Sequence, residues 1–135
     1  FYSRRWGVRI DPNYWLVGAT WNEGGEKYHD FIANGYWESG YEKDEKPTQD
    51  DRFDQIQPGD RIAIKRSLGP ADPDIIIRAI GVVSEVDLYG RRVYVTWLVR
   101  GLNRKIGSRG AYATIHGPYN RSQNIDSWLN SAFCI

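Results

Sequence analysis

The sequence predicts an α+β fold in which a small twisted β-sheet curls toward a barrel and short helices flank it. Three observations carry that expectation. Apolar residues recur at helical spacing only in short stretches, as Tyr28, Phe31 and Ile32 do. Between Arg61 and Arg100 the period drops to two and the composition turns β-branched and aromatic, which suits pleated strands. Gly81 interrupts the longest of these runs, and a glycine inside a strand marks a bulge or bend of the kind that curves a sheet. The 135 residues fit one domain spanning 1–135, because a second hydrophobic core could not be filled at this length.

In chain order, Tyr14 to Thr20 reads as a buried strand between Asp11-Pro12-Asn13 and Asn22-Glu23-Gly24-Gly25. Glu26 to Ala33 reads as a short helix, with Asn34-Gly35 supplying a left-handed C-cap. Glu42 to Gln49 is charged, contains Pro47 and has no period, so an exposed loop is expected. Asp50 to Ile56 places an acidic first turn ahead of Phe53 and Ile56, and Pro58-Gly59-Asp60 ends that helix and launches a strand. Three strands follow, Arg61 to Lys65, Ile75 to Val86 and Arg92 to Arg100, the last two joined as an antiparallel hairpin by Asp87-Leu88-Tyr89-Gly90. Arg104 to Gly110 is expected as a basic, glycine-rich loop, and Tyr112 to Ile115 as a last strand. Ile125, Trp128, Leu129 and Phe133 fall at helical spacing within Gln123 to Phe133, a closing helix docked by Trp128.

A mean hydropathy of -0.60 and the absence of any apolar run near the roughly 20 residues of a membrane helix argue against a membrane partner. The single cysteine, Cys134, permits neither an internal disulfide nor a cysteine-based zinc cage, and the reducing cytoplasm is the natural compartment. The chain begins at Phe1 with no methionine and no leader, which reads as a fragment of a larger protein. Net charge is +1, yet residues up to Asp60 hold 7 basic and 12 acidic side chains, and those after it 11 and 5. Such segregation can set a basic face beside an acidic one, or be ordinary scatter of solvated charges.

Catalytic signatures are absent. There is no Walker-type loop and no Gly-x-Gly-x-x-Gly run between a strand and a helix. His29 and His116 stand far apart without metal-ligand spacing, and Asp50, Asp51 and Asp54 read as a helix N-terminus favoured by the macrodipole. No nucleophile and base announce themselves locally. The expectation is a protein that is not an enzyme and carries no cofactor and no metal.

Aromatic content is the unusual quantity: 14%, from six Trp, nine Tyr and four Phe. Trp15, Trp97 and Trp128 sit in periodic elements and read as core. Trp21, just past the first strand, and Trp37, in Gly35-Tyr36-Trp37-Glu38-Ser39-Gly40, do not. Each is either a capping core residue or a flat surface for a nucleobase, where stacking contributes about 1–3 kcal/mol per base. Lys65 and Arg66, Arg91 and Arg92, and Arg104, Lys105 and Arg109 either track phosphates together or are separate solvated charges.

The order of pieces resembles a known family. Tyr14-Trp15-Leu16-Val17, a short helix, Gly35-x-Trp37, then Phe53-x-x-Ile56-x-Pro58-Gly59-Asp60-Arg61 and Ala79-Ile80-Gly81-Val82-Val83 resemble the EVE domain, from Tyr14 to Arg100. That family is a branch of the PUA-like superfamily, whose relatives include the YTH modified-base readers. Val17-Gly18-Ala19-Thr20-Trp21 with Arg61-Ile62-Ala63-Ile64-Lys65 is most similar to the EVE-like modules that precede AAA+ motors in modification-dependent restriction systems of the McrB kind.

The resemblance implies a small PUA-like twisted β-barrel with flanking short helices and an aromatic pocket at one end for a flipped base. It implies a principal stacking role for Trp37, a second wall from Trp21 and a third from Tyr89, with Ser39 beside them and Asn22 and Glu38 reading the base edge. The expected function is a non-catalytic DNA-binding specificity module that recognises methylated or hydroxymethylated cytosine or methyladenine. Its partners would be modified DNA and a restriction or defence AAA+ NTPase with its nuclease. Two alternatives stand beside it: an RNA-binding module for tRNA or rRNA, and a small-molecule or nucleotide enzyme using the same pocket, which the missing nucleophile-base motif disfavours.

Overall fold

A computed structural model describes residues 2–3, 8–9, 11–21, 25–41 and 45–135. Its elements run β1 (Tyr2–Ser3), β2 (Val8–Arg9), β3 (Tyr14–Gly18), β4 (Thr20–Trp21), β5 (Gly25–Glu26), α1 (Tyr28–Asn34), β6 (Tyr36–Glu38), α2 (Pro47–Asp54), β7 (Arg61–Ser67), β8 (Asp74–Asp87), β9 (Arg92–Gly107), β10 (Ile115–Tyr119), a 3-10 turn (Arg121–Gln123) and α3 (Asp126–Phe133). β1 pairs with β2 and β4 with β5 in two small ladders; the other six strands form one curled sheet, a half-barrel, in the order β10-β3-β7-β8-β9-β6.

β3 and β7 are parallel, and every other neighbouring pair in this sheet is antiparallel. A parallel pair needs a long crossover, and here it contains α1, β6 and α2. Successive strand residues point to opposite faces, so Trp15, Val17, Ile62 and Ile64 pack with Phe31 of α1 and Phe53 of α2. Leu16, Ala63, Ile75, Ile77 and Ile80 pack on the other face with Leu129, Ala132 and Phe133 of α3. Burial on both faces explains why Trp15-Leu16-Val17 is a continuous apolar run.

Curvature comes from β8 and β9, whose register shifts at Ile77/Ala79, Ile80/Gly81 and Val83/Glu85. Gly81 lies opposite Trp97 at the second shift. A Cβ there would stand 2.4 Å from Val95 Cγ1 and 2.7 Å from the Thr96 carbonyl oxygen, so no side chain fits. The irregularity expected at Gly81 is present. Gly35 also behaves as expected, closing α1 in the left-handed region at φ 71° with its N–H on the Phe31 carbonyl.

Asp60 fastens the turn before β7. It is fully buried and accepts hydrogen bonds from the Trp15 indole at 2.9 Å and from the backbone amides of Asn13 at 3.1 Å and Gln57 at 3.0 Å.

Several sequence expectations are corrected. Pro47 opens α2 at its first turn, a position where the missing N–H costs no helical bond. β9 continues to Gly107 because Arg104, Lys105, Ile106 and Gly107 pair with Ile77, Ile76, Ile75 and Asp74; the expected loop at Arg104 is strand. The last strand is β10, and Tyr112 precedes it. Trp37 belongs to a strand, β6, in register with Val93. α3 begins at Asp126, and Trp128 ties it down by donating to the Gly107 carbonyl at 2.8 Å.

Candidate nucleic-acid interface

One end of the half-barrel gathers the end of β3, the segment after β6, the start of α2 and the start of β10. Trp37 forms its floor. The ring is fully buried between Phe31 and Phe53, with centroid separations of 6.5 and 6.4 Å. Its indole N–H donates to the Gly18 carbonyl at 2.8 Å. Pairing with β9 turns it inward, so Trp37 is a packing residue in this structure and presents no face for stacking.

Trp21 is placed differently. It is half-buried and packs on the cluster, 6.3 Å from Phe31. Its ring lies against Gly40: a Cβ on that glycine would stand 3.0 Å from Cγ and Cδ1. The Lys27 ammonium is 5.0 Å from the ring centroid. The Trp21 indole N–H is buried and has no acceptor among the described residues, and such a donor costs about 1–3 kcal/mol relative to a satisfied one.

Tyr41 and Arg91 frame this end. The Ser39 amide donates to the Arg91 carbonyl at 3.1 Å, Arg91 Nε donates to the Tyr41 carbonyl at 3.1 Å, and the Arg91 guanidinium pairs with Asp50. Thr114 Oγ1 donates to the Tyr41 hydroxyl at 3.3 Å, and Gln49 Oε1 accepts from the Ile115 amide at 2.7 Å. The hairpin between β8 and β9 thereby leans on the segment that carries Gly40.

The other expected site residues fall as follows. Asn22 lies outside the described residues. Glu38 is engaged by Arg92, whose Nε donates to it at 2.6 Å, so its carboxylate is taken. Ser39 Oγ accepts from the Tyr41 amide at 3.3 Å. Tyr89 is no pocket wall: it stands at the hairpin tip, 103% exposed, beside Leu88 at 59%. Tyr41, absent from the sequence-based candidates, stands at this site because Thr114 and Arg91 reach it from distant parts of the chain.

The expected phosphate contacts do not form one stripe. Arg91 and Arg92 are paired with Asp50 and Glu38. Arg104 donates to the Ser131 and Ala132 carbonyls at 3.4 and 3.3 Å, at the end of α3. Lys105 is 3.8 Å from Asp72 and 3.9 Å from Asp74. Arg109 sits over the Trp128 ring at 5.6 Å, Arg66 is exposed near the end of β7, and Lys65 is buried. Burial holds the Lys65 ammonium down to about 8, and burial together with the Arg52 and Lys65 charges holds the His116 imidazole down to about 4. Burial raises the Tyr119 hydroxyl against the pull of Arg52 and Arg109.

Among the described residues there is no group of three or more His, Cys, Asp or Glu side chains that could hold a metal, and no helix long and apolar enough to cross a membrane. Fold and site together define a small α+β half-barrel domain closed at one end by an aromatic cluster. No protein-family model and no curated protein matches the chain.

Proposed function

We propose that this domain is a non-catalytic reader of a modified base in DNA, serving as the specificity module of a restriction NTPase and its nuclease. The observation that supports it most is Trp21. It offers a half-buried indole beside a residue without a side chain, and it carries a buried N–H that lacks an acceptor among the described residues. A base drawn from the duplex would displace the flexible Lys27 side chain and stack on the indole, and a polar group of the nucleotide would accept from the indole N–H. Trp37, Phe31 and Phe53 hold the surface rigid from below. The resemblance of residues 14–100 to EVE domains supports the same reading, including the partner.

Flipping costs a few kcal/mol of stacking and pairing. Tyr89 and Leu88 would offset part of that cost as a wedge, because apolar side chains inserted between base steps fill the vacated stack. The hairpin tip bears them, and Arg91 fastens that hairpin to Ser39 and Tyr41.

The test is titration with oligonucleotides of one sequence, as DNA and RNA, plain, methylated and hydroxymethylated. Modified DNA should bind tighter than plain DNA. Trp21→Ala should weaken that binding by about 1–3 kcal/mol, roughly 5- to 150-fold, while the folded fraction stays unchanged. Equal affinity for plain and modified DNA would overturn the reading, and a preference for RNA would replace it with an RNA reader.

A further inference from the structure

A second group of charges surrounds β10. Five cations of the fold are paired with carboxylates: Arg78 with Glu26, Arg91 with Asp50, Arg92 with Glu38, Lys105 with Asp72 and Asp74, and Arg121 with Asp126. Arg52, Lys65 and Arg109 are among the cations that form no ion pair with the described residues. Lys65 is the unusual member. It is 5% exposed, yet among the described residues no carboxylate or carbonyl receives its ammonium, which is not sealed from solvent.

Register sets two of these groups on one face of the sheet. Lys65 pairs with Gly18, and two residues earlier Ala63 pairs with Leu16. Leu16 also pairs with His116 on its other side. Ala63 and Leu16 face the α3 side, so alternation sets Lys65 and His116 on that same face. Arg52 reaches β10 from α2 and donates to the Ile115 carbonyl at 2.6 Å, next to His116. Tyr119 lies on the same strand and packs on Trp128, over which Arg109 sits. An ammonium whose stem is buried and whose tip keeps limited contact with water gains from an anion that reaches it.

We propose that Lys65, Arg52 and His116 form an anion site that takes a phosphate group. The guanidinium supplies a planar fork, the ammonium a compact charge and the imidazole one N–H donor, a combination suited to several oxygens on one centre. The site is independent of base reading, although Gly18, the strand partner of Lys65, also holds Trp37. Two sources carry this chemistry: the backbone of a nucleic acid and a free nucleotide or phosphate.

A bound anion restores the charged forms. The groups that respond are Lys65 from β7, Arg52 from α2, His116 and Tyr119 from β10, and Arg109 from the segment before β10. Binding should therefore raise the His116 titration midpoint from its depressed position near 4 and should weaken above pH 8, where Lys65 loses its proton.

The experiment follows the His116 imidazole resonances of the full chain by NMR during three titrations: inorganic phosphate, adenosine monophosphate and an unmodified DNA oligonucleotide. Saturable shifts with an upward move of the His116 midpoint are expected. Lys65→Met keeps the buried stem and should weaken binding at least about tenfold, as should Arg52→Gln, with circular dichroism confirming that both remain folded. Shifts with phosphate and the mononucleotide identify a free ligand as the source; shifts with the oligonucleotide alone identify a nucleic-acid backbone. No His116 response to any of the three, or equal binding by folded Lys65→Met, overturns the proposal. The unmodified oligonucleotide keeps this outcome separate from that of base reading.

Discussion

The indole nitrogen of Trp37 donates to the carbonyl of Gly18 at 2.8 Å, joining the edge strand β6 to the end of β3 across the aromatic cluster. Trp37→Ala should therefore act on folding. Removing a buried tryptophan costs about 3–5 kcal/mol, whereas Trp37→Phe should cost less, leaving the Gly18 carbonyl without its partner but keeping part of the volume. Urea unfolding of the two variants measures this. A Trp37→Ala protein as stable as the parent would show that the ring is not a packing residue.

Asp60 is the buried acceptor on which three donors converge: the Trp15 indole and the amides of Asn13 and Gln57. Asp60→Ala strands all three and should cost about 1–3 kcal/mol for each donor left buried, and Asp60→Asn, which keeps one acceptor oxygen, less. Denaturant midpoints give the ranking, and loss of the Trp15 bond should appear as a shifted indole N–H resonance.

Gly81→Ala tests the curvature of the sheet. The new methyl would meet Val95 Cγ1 at 2.4 Å and the Thr96 carbonyl at 2.7 Å, so β8 and β9 must part; overpacking of this kind costs about 1–3 kcal/mol. Gly107→Ala is the control, since nothing stands within 4 Å of its Cβ position. Thermal unfolding should separate the two variants, with Gly107→Ala close to the parent.

Lys65 also makes stability depend on pH. Its folded value, about 8, lies below the ordinary 10.5, so between those limits the unfolded chain binds more protons and stability rises with pH. The rise is on the order of 3 kcal/mol, complete near pH 10.5 and absent below 8. Lys65→Met should remove it and be more stable than the parent at pH 7, with the difference shrinking on the way to pH 10.5. His116 adds a lower window: its folded value near 4 against 6.5 means that acidification from pH 6.5 to 4 destabilises the fold. Urea titrations across both windows read the two slopes.

What the sequence by itself determined was local. The glycine cap at Gly35, the period of two through β7 to β9, the irregularity at Gly81, the turn at Pro58-Gly59-Asp60 and the α+β class follow from backbone preferences and alternation, which act over a few residues. Trp21 was legible as a candidate for the same reason, since it falls outside any periodic run. Tertiary structure alone decided the rest. Trp37 reads as a loop residue between glycines until Val93 pairs with it and Gly18, Phe31 and Phe53 close around it. Arg91 and Arg92 read as free cations until Asp50 and Glu38 arrive from distant elements. Lys65 reads as a strand-end surface charge until its place between β3 and β8 in the folded sheet leaves it buried. Burial and charge pairing depend on what the chain brings across from elsewhere, and no stretch of sequence carries its own neighbours.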